Sequence, residues 1–292
     1  MKNETKKIIA IVGPTASGKT SLSVELAKVL KTEIISADSR QIFREFDIAT
    51  AKPTAEEKQG IKHHLMDFVE PTEEFTVADF KDKSEVVISD LFKQGKTPIV
   101  VGGTGLYFRV LLENYNLPKV EPNYQLREEL KRFEFTDLYN RLAKIDKLCA
   151  DSIAQNDKKK IIRAIEIVET LGVPMNEARG INEETSFDVE WIGRNFERKE
   201  LYERINKRVD LMIDMGLVEE TQNLLKKHGR IPNLIDTIGY KEMVMYLDGK
   251  LTLAEACDLL RQNTRNYAKR QLTWFRKNQL INWNVYPELL KK

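Results

Sequence analysis

The residues Gly13-Pro14-Thr15-Ala16-Ser17-Gly18-Lys19-Thr20 satisfy the pattern G-x-x-x-x-G-K-[ST] at every fixed position. They follow an apolar run, Ile8 to Val12, and precede Leu22, Leu26, Val29 and Leu30 at helical spacing, so the chain reads strand, loop, helix. Such a loop turns consecutive backbone N–H groups toward a chain of phosphates, and the helix N-terminus behind it adds about half a unit of positive charge. Gly13 and Gly18 permit close backbone approach, Lys19 reaches the terminal phosphate, and the Thr20 hydroxyl is placed to hold Mg²⁺. The expected fold is α/β: a P-loop fold with a central parallel sheet flanked by helices.

Composition narrows what a phosphate loop serves. Over 292 residues, 47 Lys and Arg against 45 Asp and Glu leave a formal charge of +2, so evidence for a nucleic-acid partner has to be local. Hydrophobic content of 41% and charged content of 32% describe a soluble globular chain of one large or two modest domains. No apolar run approaches the ~20 residues of a membrane span, and Met1 to Lys7 is too polar and short for a signal peptide; the cytoplasm is the expected compartment. Cys149 and Cys257 form no C-x-x-C, and with only His63, His64 and His228 beside them they suggest no zinc cluster.

Downstream of the first helix, Glu33 to Ala37 reads as a second strand ending in Asp38-Ser39-Arg40-Gln41. A carboxylate at the C-terminal end of a strand beside the phosphate loop lies where parallel α/β sheets place their chemistry, although Asp38 or Ser39 equally suits a helix N-cap. His63 to Asp67 is a possible short strand, Val77 to Phe92 a helix that stops at Gly95, and Pro98 to Val101 a buried strand. In most nucleotide-hydrolysing P-loop proteins such a strand ends in an acid that helps hold Mg²⁺; here it runs into Gly102-Gly103-Thr104-Gly105-Leu106-Tyr107. The glycines suit either close approach to a phosphate or planar ligand, or a tight strand-to-helix turn.

From about residue 114 only helical patterns are found up to Arg179, and the expected organisation is a core of residues 1–114 and 180–292 with a helical insertion at 115–179. Lys158-Lys159-Lys160 and Arg163 give the insertion a basic corner. Trp191 to Gly193 returns as a strand, and an amphipathic helix follows from Leu201 to Leu217, carrying Arg204, Lys207 and Arg208. From Leu259 to Pro287 there is no acidic residue, while Arg261, Arg265 and Lys269 fall on one helix face, followed by Arg270, Arg276 and Lys277. Tyr267, Trp274 and Phe275 are interleaved with them, as stacking groups for unpaired bases or as core.

Taken together, Gly13 to Thr20, Asp38 to Gln41, Gly102 to Tyr107, the His63-His64-Leu65 segment, the Arg204 to Met212 helix and the basic Arg265 to Arg276 stretch resemble the tRNA dimethylallyltransferase family, from about residue 6 to residue 284. The resemblance implies transfer of dimethylallyl from its diphosphate to N6 of adenosine 37, in tRNAs that read codons beginning with U. It implies Asp38 and Thr104 as catalytic residues, Mg²⁺ at Thr20 as cofactor, and a diphosphate held by Gly13, Pro14, Thr15, Ala16, Ser17, Gly18, Lys19, Thr20 and Arg204. For the tRNA anticodon stem-loop it implies contacts from Asp38, Ser39, Arg40, Gln41 and Thr104. Further contacts are implied at Arg127, Lys159, Lys160, Arg163, Gly239, Tyr240, Lys241, Arg265, Lys269 and Arg270, with the insertion closing over the stem-loop. Family members commonly have Arg where Lys160 stands, which keeps the charge but loses the planar fork. The Cys/His set of the C-terminal zinc module in larger eukaryotic relatives is missing, as in the compact bacterial type. No membrane and no obligate protein partner are expected. Two other readings remain open at this point: a nucleotide-dependent small-molecule kinase, and an RNA-binding nucleotide switch.

Overall fold

The computed structural model describes residues 6–113, 115–155, 157–179 and 187–284. The chain divides into two compact units, Met1–Leu112 with Ser186–Lys292, and Glu113–Thr185. The expected junction residues 114 and 180 lie outside the described residues.

The first unit is built on a six-stranded, wholly parallel sheet in the order β3-β2-β4-β1-β5-β6. Its strands are β1 (Lys7–Val12), β2 (Ile34–Ala37), β3 (His63–His64), β4 (Ile99–Gly102), β5 (Asp188–Gly193) and β6 (Asn282–Trp283). β1 and β4 are buried along almost their whole length, as unbroken apolar runs require in a sheet covered on both faces. β3 is shorter than the sequence suggests because Leu65 and Asp67 take left-handed backbone angles, φ 57° and 59°, which end the pairing. β6, two residues long, carries too little pattern to be read from sequence.

Connecting these strands are α1 (Lys19–Leu30), α2 (Ala55–Lys58), α3 (Val77–Lys93) and α4 (Gly105–Leu112). Thr54 and Thr76 open α2 and α3 with reciprocal capping boxes to Glu57 and Asp79. Leu22, Val24, Leu26 and Ala27 of α1 pack on Ile9, Ile11, Ile34 and Ile99 of the sheet. Burying each such large aliphatic side chain contributes about 1.5–3 kcal/mol.

The second unit carries five helices among the described residues: α5 (Tyr124–Leu130), α6 (Phe135–Ile145), α7 (Lys147–Asp151), α8 (Lys158–Leu171) and α9 (Met175–Ala178). They enclose a separate core of Leu130, Leu138, Leu142, Ile161, Ile165 and Val168. Glu166 lies inside it with 0% exposure. Burial alone would raise its pKa, but Arg127 and Arg163 with the Asn123 N–H hold it below the usual carboxylate range.

After β5 the first unit continues through α10 (Arg198–Asp214), α11 (Leu217–His228), α12 (Pro232–Ile235), α13 (Tyr240–Leu247) and α14 (Leu253–Phe275). The single helix suggested for Leu201 to Leu217 is thus two, separated at Gly216, which takes φ 95°. α10 to α14 share a core with Ile42, Phe43, Phe46 and Val69 from the segment between β2 and α3.

Candidate active site

Parallel pairing sets the site before any side chain is considered. Gly102 is in register with Val12 on one side and Ala37 on the other, so the phosphate loop, the turn after β4 and Asp38 leave the sheet at one level. The close spacing explains Gly102: a Cβ there would stand 2.1 Å from the Ala37 carbonyl oxygen.

The phosphate loop leaves β1 at Gly13, where a Cβ would stand 2.1 Å from the Arg194 carbonyl oxygen. Gly18 takes φ 76° and opens α1 with no side chain capping it, so first-turn N–H groups are left for an anion. Ser17 is 1% exposed and its Oγ has no hydrogen-bond partner, a buried atom that a phosphate oxygen would satisfy. Lys19 Nζ folds back onto the Pro14 carbonyl at 2.6 Å. Burial above all, with the Arg208 guanidinium nearby, lowers its pKa to about 7 against the opposing pull of Asp38. Arg204 Nε donates to the Ala16 carbonyl at 2.9 Å, and its guanidinium lies 4.2 Å from the Phe196 ring centroid.

Thr20 stands half-buried in the first turn of α1. Among the described residues no group of three or more His, Cys, Asp or Glu side chains is placed to hold a metal. A Mg²⁺ at Thr20 would therefore draw its other ligands from diphosphate oxygens and water, an oxygen set that suits this cation.

On the opposite side of β4, Asp38 Oδ1 accepts from the backbone N–H groups of Arg40 at 2.9 Å and Gln41 at 3.3 Å. No helix follows, so the carboxylate caps a turn with one oxygen rather than an α-helix. Thr104 Oγ1 accepts from the Ser39 N–H at 3.0 Å and faces the Ser39 hydroxyl at 3.4 Å, which joins the Asp38 turn to the Gly-rich turn. Gln41 does not present its amide outward: Nε2 donates to the Thr50 and Ala51 carbonyls, both at 3.1 Å.

Three residues on α14 and α10 complete the site without having been singled out for it from sequence. Gln271, 5% exposed, accepts from the Thr15 N–H at 2.9 Å and donates to the Gly103 carbonyl at 3.0 Å. Tyr267 faces Asp38 and Thr104, and burial with the Asp38 charge raises its pKa, which keeps the phenol neutral. Arg208 Nη1 donates to the Thr15 hydroxyl at 3.3 Å. Added Cβ atoms would stand 2.1 Å from Gln271 Nε2 at Gly103 and 2.2 Å from Trp274 Cδ1 at Gly105. Side chains of this protein, rather than a ligand, therefore occupy the space that those glycines leave open.

The residues suggested for RNA contact fall into two kinds. Lys241, Lys269 and Arg270 are exposed, as are Lys159 and Lys160 in the first turn of α8, which Asp157 caps through the Lys160 N–H. Arg40 and Arg265 are half-buried, Arg265 donating to Asn206 Oδ1 at 2.9 Å. Others are engaged inside the protein. Arg127 grips both Glu166 oxygens at 2.9 Å, and Arg163 reaches Glu166 and the Val120 carbonyl. Tyr240 is 0% exposed and donates to Glu220 Oε1 at 2.6 Å, so it offers RNA no surface; Gly239 is buried against Ala49. Arg261, counted as uncompensated from sequence, is paired with Asp210 and Asp258. Asp210 comes from α10, which a local count of charge on α14 does not include.

Comparison with known proteins gives a consistent result. The family model described as IPP transferase matches residues 41–278. A tRNA dimethylallyltransferase of Alkaliphilus oremlandii is 48% identical over 287 residues, covering 95% of this chain and 91% of its own. One from Anoxybacillus flavithermus is 45% identical over 279 residues, covering 95% and 90%. Among solved structures, the tRNA isopentenylpyrophosphate transferase of Bacillus halodurans matches with TM-score 0.72 and 43% identity over 95% of this chain and 89% of that one. A eukaryotic dimethylallyltransferase acting on tRNA matches with TM-score 0.81 and 30% identity, over 93% of this chain and 70% of that one. A family model that matches most of the sequence, and relatives nearly half identical over 95% of it, give one result: the chain belongs to the IPP transferase family.

Proposed function

We propose that this protein transfers the dimethylallyl group from dimethylallyl diphosphate to N6 of adenosine 37 in the anticodon loop of tRNAs that read codons beginning with U. The observation that carries the reading is the convergence, at one end of the sheet, of a phosphate loop, a β4 end without an acid, and a carboxylate and a hydroxyl on the far side of that end. Departure of diphosphate from an allylic carbon leaves positive charge on carbon and growing negative charge on oxygen. Backbone N–H groups at the start of α1, Lys19, Arg204 and Arg208 stabilise the second as it develops. Thr20 would hold Mg²⁺ through its hydroxyl, and the cation would supply further charge neutralisation on the diphosphate.

An exocyclic adenine amine is a weak nucleophile, because its lone pair is delocalised into the ring. Proton removal therefore accompanies C–N bond formation, and Asp38, whose Oδ1 is held by two backbone N–H groups, is the carboxylate at hand to take it. Thr104 aligns amine and leaving group. The base reaches them only when flipped out of its stack, and Ser39, Arg40 and the exposed cations of α14 and α8 meet the surrounding RNA. The exposure of Lys159 and Lys160 supports that role, since surface cations neutralise phosphates. The reaction belongs to the compartment that holds tRNA, the cytoplasm.

The test is incubation of the purified protein and Mg²⁺ with unmodified tRNA and dimethylallyl diphosphate, in parallel with ATP, followed by mass analysis of anticodon-loop nucleosides. A gain of one dimethylallyl group on adenosine 37, with the prenyl donor alone, is the expected result. ATP turnover without that gain would make the kinase reading primary.

A further inference from the structure

The diphosphate loop and the Thr104 turn belong to different strand ends, and the reaction needs them at a set separation. The allylic carbon of the five-carbon group must leave a diphosphate oxygen at the loop and bond to N6 of the base beside Thr104, and a displacement of about 1 Å costs on the order of 10²-fold in rate. Gln271 spans both. Its carbonyl oxygen accepts from Thr15 N–H in the loop, and its amide nitrogen donates to the Gly103 carbonyl, one residue before Thr104. The amide is used in both senses, donor and acceptor, which no hydrophobic or purely donating side chain of that size reproduces. At 5% exposure it is held in place by its surroundings, and Gly103 lacks a Cβ where one would stand 2.1 Å from Gln271 Nε2. The same helix carries Tyr267 against Thr104 and packs Trp274 onto Gly105.

We infer that Gln271 is a positioning residue for prenyl transfer, which fixes the distance between the leaving group held by the P-loop and the Thr104 hydroxyl. This rests on the function proposed above. Both ends of the Gln271 amide are taken up by backbone groups at Thr15 and Gly103, so its effect is on the rate of the bound complex rather than on assembly of that complex.

The experiment compares Gln271→Met, close in length and without either hydrogen bond, with wild type and with Thr104→Ala. Single-turnover transfer is measured at saturating tRNA and donor, and tRNA and inorganic diphosphate affinities are measured separately. The expected result is an about 30-fold loss of rate, with both dissociation constants within about threefold of wild type. The Gln271→Met/Thr104→Ala double variant should be within about twofold of the slower single variant, because the two act through one step. A rate within about twofold of wild type, affinities that fall in step with the rate, or losses that multiply in the double variant would each overturn the inference. Where the Met variant does not fold, Gln271→Asn, one methylene too short to reach both partners, is put to the same readings. Absence of transfer by the wild-type protein would instead sink the proposed function, so the two failures are distinguishable.

Discussion

Asp38 holds a turn with one carboxylate oxygen, and the proposed function gives the same side chain the proton transfer. Oδ1 holds the turn through the Arg40 and Gln41 N–H groups, and the carboxamide of Asp38→Asn retains an oxygen for that task. The variant cannot take a proton. Its transfer rate should fall by about 10²–10⁴-fold while tRNA and diphosphate binding stay near wild type, read by single-turnover kinetics and titration. A wild-type rate would remove Asp38 from the mechanism. Lys19 leads to a pH prediction with a definite sign. Its pKa in the free protein is lowered to about 7 by burial and Arg208, and a bound diphosphate raises it again. Below pH 7 the ammonium is already present, so binding takes up little proton there. Above it, binding takes up about one proton and affinity falls by up to about tenfold per pH unit. Calorimetry at pH 8 in two buffers of different ionisation enthalpy measures that uptake, and none at all would mean that Lys19 is charged before the ligand arrives.

At the scale of elements, α14 has two working sides. One side enters the site through Tyr267 and Gln271, with the Arg270 guanidinium 5.7 Å from the Tyr267 ring centroid, while Arg265 and Lys269 lie on another. Neutralising Arg265 and Lys269 together should weaken tRNA binding and flatten its dependence on log salt by about 1.5, whereas Arg261→Gln should leave the slope unchanged because Asp210 and Asp258 already pair that guanidinium. Equal slopes for all three proteins would make the face a solvated one. The spacing shows the helix and sets Asp258 one turn before Arg261, but not the pairing of Arg261 with Asp210 or the enclosure of Gln271, which depend on residues 51 to 256 positions away. The break between α10 and α11 was missed because apolar spacing continues through Gly216 to Leu217.

For the whole molecule, the second unit has its own core and its own buried ion cluster. Glu166→Gln leaves Arg127 and Arg163 facing a neutral amide and should destabilise that unit by roughly 2–3 kcal/mol, moderated by partial solvent access to both guanidiniums. Because the folded pKa of Glu166 is depressed, its wild-type contribution is complete above the unfolded value and is lost as pH falls through the folded one. Diphosphate binding by the first unit should be unchanged. A calorimetric scan with and without diphosphate reads both, and a loss of diphosphate affinity would contradict the independence of the two cores.

By itself the sequence determined the local events: the glycine-rich turn after β1, the apolar runs of the inner strands, the helical texture after residue 114, and the carboxylate and hydroxyl that end β2 and enter the turn after β4. Each is legible because it is set by neighbours within a few residues, through periodicity, backbone freedom or capping. Tertiary structure decided which of these meet. The register of Gly102 with Val12 and Ala37 brings Thr104 between the phosphate loop and Asp38, and α14 supplies Gln271, 256 residues after Thr15 and 168 after Gly103, to tie the two turns together. It also engaged Arg127 and Arg163 with the buried Glu166, and Tyr240 with Glu220, because a carboxylate withdrawn from water needs partners. Those pairings depend on distance in space, which spacing along the chain does not encode.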